Sequence, residues 1–323
     1  MKGKRGYYQR LYALFRSYRR RDALVPAPPL RLWVEIDSRC NLRCPVCPNK
    51  DLAAEKKGAM EWPLFQKVID QAGRLAFEIN LHHRGETLLH PEAGRFIRYA
   101  TASGTYCRLH TNATLLQGAV VDDILASGLR RLSISFDGFS AAVYEKNRAG
   151  ASFAQVSGNV ADFLRRRRQR GQKHPRLAIE VMDLAPAGDR EDRREFLARF
   201  KRLGLDELVV KRPHNWAGYL AAPGSPAPAA ACTFPWNALV VFFNGDVSPC
   251  SQDFFARRIL GNAGEKPLLE IWNGPPLQEL RQAFAAGRAA DFPACSACDR
   301  IRRPTLGGVP VEYLKRLARR RMP

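Results

Sequence analysis

Cys40, Cys44 and Cys47 stand in the string Cys40-Asn41-Leu42-Arg43-Cys44-Pro45-Val46-Cys47, directly after the apolar run Leu32-Trp33-Val34-Glu35-Ile36. A C-x3-C-x2-C spacing on a short loop after a strand lets three thiolates converge on one face. Iron–sulfur clusters are held by Cys thiolates, and a closed 4Fe–4S cluster takes four. Three ligands therefore leave one iron free to bind and reduce a small molecule. A zinc site wants four ligands, commonly in paired C-x2-C knuckles, and no His follows Cys47 at ligand spacing. Disulfides need an oxidising compartment and an even local count.

A second group follows later as Cys232-x12-Gly245-x4-Cys250 and Cys295-x2-Cys298. The run 238–246 between its first two members reads as a hairpin, with Asn244-Gly245 as its turn. Four thiols close one cluster, or equally a zinc ribbon. The eighth cysteine, Cys107, lies five residues before Asn112 in a strand-like run. At about 3.3 Å per residue it falls about 16 Å below the strand's end, so it reads as a buried structural cysteine.

Three further segments complete a pattern: Arg84-Gly85-Glu86-Thr87-Leu88-Leu89-His90-Pro91, Thr111-Asn112-Ala113-Thr114-Leu115-Leu116, and Ser133-Ile134-Ser135-Phe136-Asp137-Gly138. With the triple-cysteine loop, they resemble the radical S-adenosylmethionine (SAM) superfamily. Arg84 stands where the family usually has Gly, and Val46 where it usually has an aromatic residue. The resemblance implies an open iron that chelates SAM, whose reductive cleavage yields a 5′-deoxyadenosyl radical. It implies that Glu86 accepts from the methionyl ammonium while Gly85 lets backbone approach the ligand. Asn112 belongs to the same cofactor site, Ser135 lies by the ribose, and the fork of Arg148 pairs the methionyl carboxylate. The later cysteines, with Leu260-Gly261-Asn262 and Glu270-Ile271-Trp272-Asn273, resemble the SPASM and twitch modules of that superfamily. Four cysteines rather than seven imply the short twitch form with one auxiliary cluster. The expected cofactors are thus two 4Fe–4S clusters and SAM, and the expected electron donor is a flavodoxin or ferredoxin.

A closed auxiliary cluster has no iron left for substrate, so its expected role is to carry an electron. Hydrogen abstraction followed by electron removal is a two-electron oxidation. That favours dehydrogenation of a small hydroxylated substrate, with crosslinking or oxidation of a ribosomally made peptide as the alternative. Related epimerases quench the substrate radical with a free thiol; Cys107, the one cysteine left over, is expected too deep for that. His82, His83 and Arg84, at the mouth of the second strand-like run, are the candidates for substrate contact or proton transfer.

The elements that must position these residues alternate. Strand-like runs at 31–37, 76–82, 105–111, 130–136, 176–183 and 206–211 interleave with helical stretches near 62–75, 93–103, 116–127, 153–170 and 189–203. Six β–α units give an α/β fold with a parallel sheet. The resemblance makes it a partial (βα)6 TIM-type barrel with its chemistry at the strands' C-terminal ends. The expected divisions are an N-terminal extension at 1–30, the core at 31–220, a linker at 221–230, the cysteine module at 231–303 and a basic tail at 304–323. In the extension, Tyr8, Leu11, Tyr12 and Phe15 make an amphipathic stripe that docks on the domain or lies on a membrane surface.

The chain has 323 residues and a formal charge of +21. That charge points to acidic partners such as RNA, phosphorylated substrates or anionic membranes, or to no more than an Arg-rich coding bias. The basic runs are scattered and no aromatic-rich RNA module is visible, which argues against a nucleic-acid partner. With no apolar run of membrane-spanning length and no signal-peptide core, eight cysteines point to reduced thiols or metal ligands in the cytoplasm.

Overall fold

The computed structural model describes residues 3–182, 190–211, 213–221, 232–307 and 309–318. All of the expected linker except residue 221 lies outside the described residues, as do residues 319–323.

Six parallel strands carry the core: β1 (Arg31–Val34), β2 (Glu78–Asn80), β3 (Tyr106–Thr111), β4 (Arg131–Ser135), β5 (Arg176–Met182) and β6 (Glu207–Lys211). They pair in sequence order, as an unbroken series of right-handed β–α units requires. The crossovers run through α2 (Trp62–Leu75), α3 (Ala93–Ala102), α4 (Ala119–Ala126), then α5 (Ala141–Asn147) with α6 (Phe153–Gln169), and α7 (Arg190–Arg202). The α2 helix shows why these pack: Phe65, Val68, Ile69 and Ala72 recur at helical spacing on its buried face. Alternation on β3 is equally plain. Cys107, Leu109 and Thr111 are buried, while Tyr106, Arg108 and His110 between them are part-exposed.

The free edge of β1 does not meet β6. It pairs in parallel with β7 (Ala238–Val241), Arg31 opposite Ala238 and Val34 opposite Val241. Antiparallel β8 (Asp246–Ser248) and β9 (Gly261–Asn262) extend the same sheet to nine strands. The barrel is therefore open, and the cysteine module grows from its first strand. Two helices, α8 (Leu268–Trp272) and α9 (Pro275–Ala285), and the short α10 (Pro293–Ser296) complete that module.

The N-terminal helix, α1 (Lys4–Arg20), docks on the domain. Its buried stripe is Tyr7, Leu11, Leu14 and Tyr18; of the expected set Leu11 is buried, Tyr8 and Phe15 are half-buried and Tyr12 is 58% exposed. The stripe turned because two bodies cover it. Tyr7 donates to Glu78 on the barrel, while Tyr18 packs edge-on against Trp236 of the module. Phe15 stacks on Tyr313 of α11 (Val311–Ala318), so the start of the basic tail is a docked helix. No described helix is long and apolar enough to cross a membrane.

Candidate active site

The triple-cysteine loop is pinned on both sides. Asp37 accepts from the backbone N–H of Arg39 (2.9 Å) and forks onto its guanidinium. Asn49 donates to the carbonyls of Ser38 (2.7 Å) and Arg84 (2.9 Å), and the Glu86 N–H donates to the Arg39 carbonyl (2.8 Å). Gly85 is where this loop meets the one after β2. A Cβ there would stand 2.4 Å from the carbonyl oxygens of Asp37 and Arg39, so no side chain fits. On the far side, the Arg43 N–H donates to the Ala149 carbonyl.

Cys40, Cys44 and Cys47 open onto a cavity of about 280 Å³. Gly85, Glu86, Asn112, Ser135 and Arg148 line the same space, as do His82, His83 and Arg84. The structure thus gathers every residue expected at the SAM end. Asn112 reaches from the end of β3 to Asn41 (2.9 Å), with its amide 4.0 Å from the Cys40 sulfur. Arg148 caps α5, pairs Asp137 at 2.7 Å and sits 3.9 Å from the Cys44 sulfur. Burial opposes its charge, but Asp137 and nearby Cys44 raise its pKa above the usual value.

The Glu86 carboxylate is buried and accepts from Thr111 Oγ1 (2.8 Å), the Asn112 N–H (2.7 Å) and the Leu88 N–H (3.1 Å). Burial pushes its pKa above the usual carboxylate value, and these donors offset that only in part. Four acceptor positions leave one free for an ammonium.

Arg84 also has a buried partner that the sequence did not reveal. Its guanidinium forks onto buried Glu35 (2.7 Å to each oxygen) and lies 4.2 Å from the Phe242 ring centre. This buried pair commits the Nε edge of the guanidinium to Glu35, so Arg84 ties the end of β1 to the loop after β2 while still lining the cavity. Burial opposes ionisation of Glu35, yet Arg84 and His83 hold its pKa at about 2. His83 sits with Nδ1 3.5 Å from Glu35 and Nε2 3.1 Å from the Ser251 carbonyl, and so joins the barrel to the residue after Cys250. The His82 ring, which lines the cavity, stands edge-on to His110 at 5.3 Å.

Several cavity residues were not anticipated. Trp33, His110, Glu180, Lys211, His214 and Trp216 all line it. Ser135 Oγ lies 2.6 Å from His110 Nε2, and Glu180 lies 3.9 Å from His110 Nδ1 and pairs with Lys211. The available signal was polar residues at inward positions near the C-terminal ends of otherwise apolar strands.

The later cysteines also come together. Cys232, Cys250, Cys295 and Cys298 line one cavity of about 100 Å³, walled by Phe234, Leu280, Phe284 and Phe292. No cysteine is disulfide-bonded. Among the described residues no three His, Cys, Asp or Glu side chains stand close enough to share one metal ion. The four thiols surround a space instead, which suits a multi-iron cluster. Burial raises Cys295 to about 12 and Cys298 to about 11, so a cationic centre would be needed to hold them as thiolates. Cys107 lines neither cavity; it is fully buried with its thiol pushed up to about 12.

The family model described as the radical SAM superfamily matches residues 34–213, and that of the SPASM iron–sulfur cluster-binding domain matches residues 232–299. This chain belongs to the radical SAM superfamily. As a radical SAM protein it takes SAM and a 4Fe–4S cluster, and its SPASM domain brings further iron–sulfur binding. It is 24% identical over 273 residues to the S-adenosyl-L-methionine-dependent 2-deoxy-scyllo-inosamine dehydrogenase of Niallia circulans, covering 83% of this chain and 92% of that one. It is 29% identical over 124 residues to the PqqA peptide cyclase of Gluconobacter oxydans, over 38% of this chain and 34% of the relative. In fold it resembles the crystal structure of BtrN in complex with AdoMet and 2-DOIA (TM-score 0.57, 21% identity, 84% of this chain and 93% of that one). It also resembles Streptococcus suis SuiB bound to precursor peptide SuiA (TM-score 0.62, 15% identity, 90% and 73%).

Proposed function

We propose that this radical SAM enzyme dehydrogenates a small hydroxylated substrate. Cys40, Cys44 and Cys47 would hold the 4Fe–4S cluster that binds SAM, and Cys232, Cys250, Cys295 and Cys298 would hold one auxiliary 4Fe–4S cluster. When bound, these groups supply a 5′-deoxyadenosyl radical and a place for the electron withdrawn from substrate. Glu86 accepts from the methionyl ammonium, and Arg148, partly neutralised by Asp137, faces the methionyl carboxylate. Gly85, Asn112 and Ser135 line the wall along which the rest of SAM lies. His82 and the His110–Glu180 group form the substrate end.

The observation that carries this reading is the shared cavity. Three thiols open onto it at one end, Ser251 and Gln252 beside Cys250 line it at another, and polar groups lie between. The dehydrogenase relative, matched nearly end to end, supports the small-alcohol substrate. A peptide-modifying role is the second reading, favoured by the local likeness to the PqqA peptide cyclase. The +21 charge suits an acidic electron carrier of flavodoxin or ferredoxin type, and reduced thiols suit the cytoplasm. The apolar stripe of α1 is covered, which leaves a membrane role only to its basic face.

The test is anaerobic turnover of reconstituted enzyme with SAM, a reductant and ring-deuterated 2-deoxy-scyllo-inosamine or related cyclitols. Deuterium in 5′-deoxyadenosine together with a ketone product is the expected result. Deuterium transfer only from a peptide encoded beside this gene would favour the second reading.

A further inference from the structure

We propose that Gln252 reads a hydroxyl group of a small polyol substrate and holds its ring against the loop that follows Cys250. This deepens the dehydrogenation proposed above and rests on it.

Gln252 is only 3% exposed, and its amide oxygen is shielded from solvent with no hydrogen-bond partner among the described residues. Folded chains pair nearly all such groups, because burial strips their water and an unmade bond is not replaced. The backbone of Gln252 is already committed. Its N–H donates to the Cys250 sulfur at 3.2 Å, and its carbonyl accepts from the Phe254 N–H at 2.9 Å. A fixed turn therefore carries an amide that the fold itself does not use. That amide belongs to the active-site cavity. Gln252 lines the space of about 280 Å³ shared with Cys40, Cys44 and Cys47, whereas Cys250 lines the smaller one between the later cysteines. The side chain thus serves a ligand of the first cavity and not the auxiliary cluster.

The wall around it indicates the chemistry of that ligand. Phe254 and Trp216, with ring centres 5.2 Å apart, line the same cavity and offer apolar faces to the C–H bonds of a saturated ring. His82 lines it too, and its Nδ1 is likewise shielded without a partner among the described residues. Burial first, then His110 and Arg108, hold His82 well below its usual value, so its ring is neutral. A neutral imidazole and an amide each offer a donor and an acceptor, which is what a hydroxyl group requires of its neighbours. Neutral polar groups set among aromatic rings suit an uncharged polyol face. Gln252 comes from the cysteine module, whereas Gly85, Glu86, Asn112, Ser135 and Arg148, proposed above for SAM, come from the barrel. A ring held by this amide stands one short turn from Cys250, beside the centre proposed to receive its electron.

The test is calorimetric binding of 2-deoxy-scyllo-inosamine, and of each of its single-deoxy analogues, to the cluster-loaded, SAM-bound enzyme before reduction. Wild type is compared with Gln252→Met, which keeps the length of the side chain and removes its polar end. Affinity for the parent cyclitol should fall about tenfold in the variant. One deoxy analogue should lose as much in wild type and nothing further in Gln252→Met, which identifies the hydroxyl that is read. SAM affinity and the electron paramagnetic resonance signals of both clusters should not change. Equal cyclitol affinity in the two proteins overturns the proposal. So does an altered auxiliary-cluster signal with cyclitol affinity intact, because the amide then serves the cluster.

A second readout needs no substrate. Removing an amide that the fold leaves unpaired should raise the melting temperature of the substrate-free, cluster-loaded enzyme, by about 2 °C. A fall overturns the proposal, since an ordered water already satisfied the group. If wild type binds none of the cyclitols, it is the substrate reading that fails. The melting temperature then decides for Gln252 alone: a rise keeps it as a ligand-reading residue, and a fall removes it.

Discussion

The indole N–H of Trp216 donates to the carbonyl of Val46, 3.2 Å away, between the second and third cysteines of the SAM loop. One residue earlier, the Asn215 side chain donates to the Ala297 carbonyl (2.6 Å) and accepts from the Asp299 N–H (3.1 Å), beside Cys298. A single turn after β6 thus holds both cysteine loops. Its backbone is left-handed at Trp216, Ala217 and Gly218 (φ 49°, 54° and 93°), which two non-glycine residues adopt only where surrounding contacts enforce it.

Trp216→Phe keeps a ring but removes that bond, at a cost of about 1 kcal/mol. Hydrogen exchange should rise at residues 44–50 and stay unchanged at 295–299. Asn215→Ala should do the reverse. Exchange rising at both loops in either variant would show that the turn is not two separate ties.

Anaerobically reconstituted protein should hold about eight iron and about eight sulfide. Changing Cys40, Cys44 and Cys47 together to Ala should leave about four of each. Saturation at about four iron, with zinc on the later cysteines, would reassign the second cavity to a zinc ribbon.

Glu86→Gln exchanges a buried carboxylate with three donors for an amide. SAM affinity should drop about tenfold, the value of a charge-assisted bond, with both clusters retained. Calorimetric titration with SAM measures it, and a melting curve separates it from loss of fold. Unchanged affinity would leave Glu86 as a loop tie between β2 and β3.

Glu35 supplies the pH dependence. Its folded pKa of about 2 lies below the ordinary 4.5, so its stabilisation is complete above pH 4.5 and lost as pH falls toward 2. Glu35→Gln strands the buried Arg84 charge and should cost about 3 kcal/mol at neutral pH. Urea unfolding of the cluster-free chain should show that gap closing as pH drops from 4.5 toward 2. A gap constant with pH would mean the pair is not ionised in the fold.

Cys107→Ala should cost about 1 kcal/mol of packing and keep turnover, since Cys107 is fully buried and lines neither cavity. If the variant still moves deuterium into deoxyadenosine but yields no product, Cys107 is a hydrogen donor and the reaction is an epimerisation.

The order of strands and helices was legible because both periods are strong, and the Cys40–Cys47 loop because local spacing alone carries it. What the sequence hid depends on long-range pairing. Nothing in 238–241 distinguishes a hairpin strand of a separate module from one laid parallel on β1. The Arg84 pairing was hidden because its partner, Glu35, looks like a defect in an apolar strand until the two are seen together. His110, Glu180 and Lys211 escaped notice because each is an isolated polar residue in its own strand, and only register brings them to one wall. The α1 stripe was misplaced by a fraction of a turn, since a helix clasped by two bodies buries a different arc from one lying on a single sheet.

That clasp also sets an order of assembly. Helix α1 precedes both bodies that clasp it, and the indole of Trp236, which donates to the Asp22 carbonyl just past its end, lies 214 residues downstream. The Gly307 carbonyl that receives Arg19 lies 288 residues downstream. Through most of translation Leu14 and Tyr18 have no finished surface to cover them, and late closure of such distant contacts is slow and exposed to misassociation. Covering the far end of α1 is then among the last events of folding, so a chain stalled before residue 232 would leave Tyr18 without Trp236 even after Tyr7 has met β2.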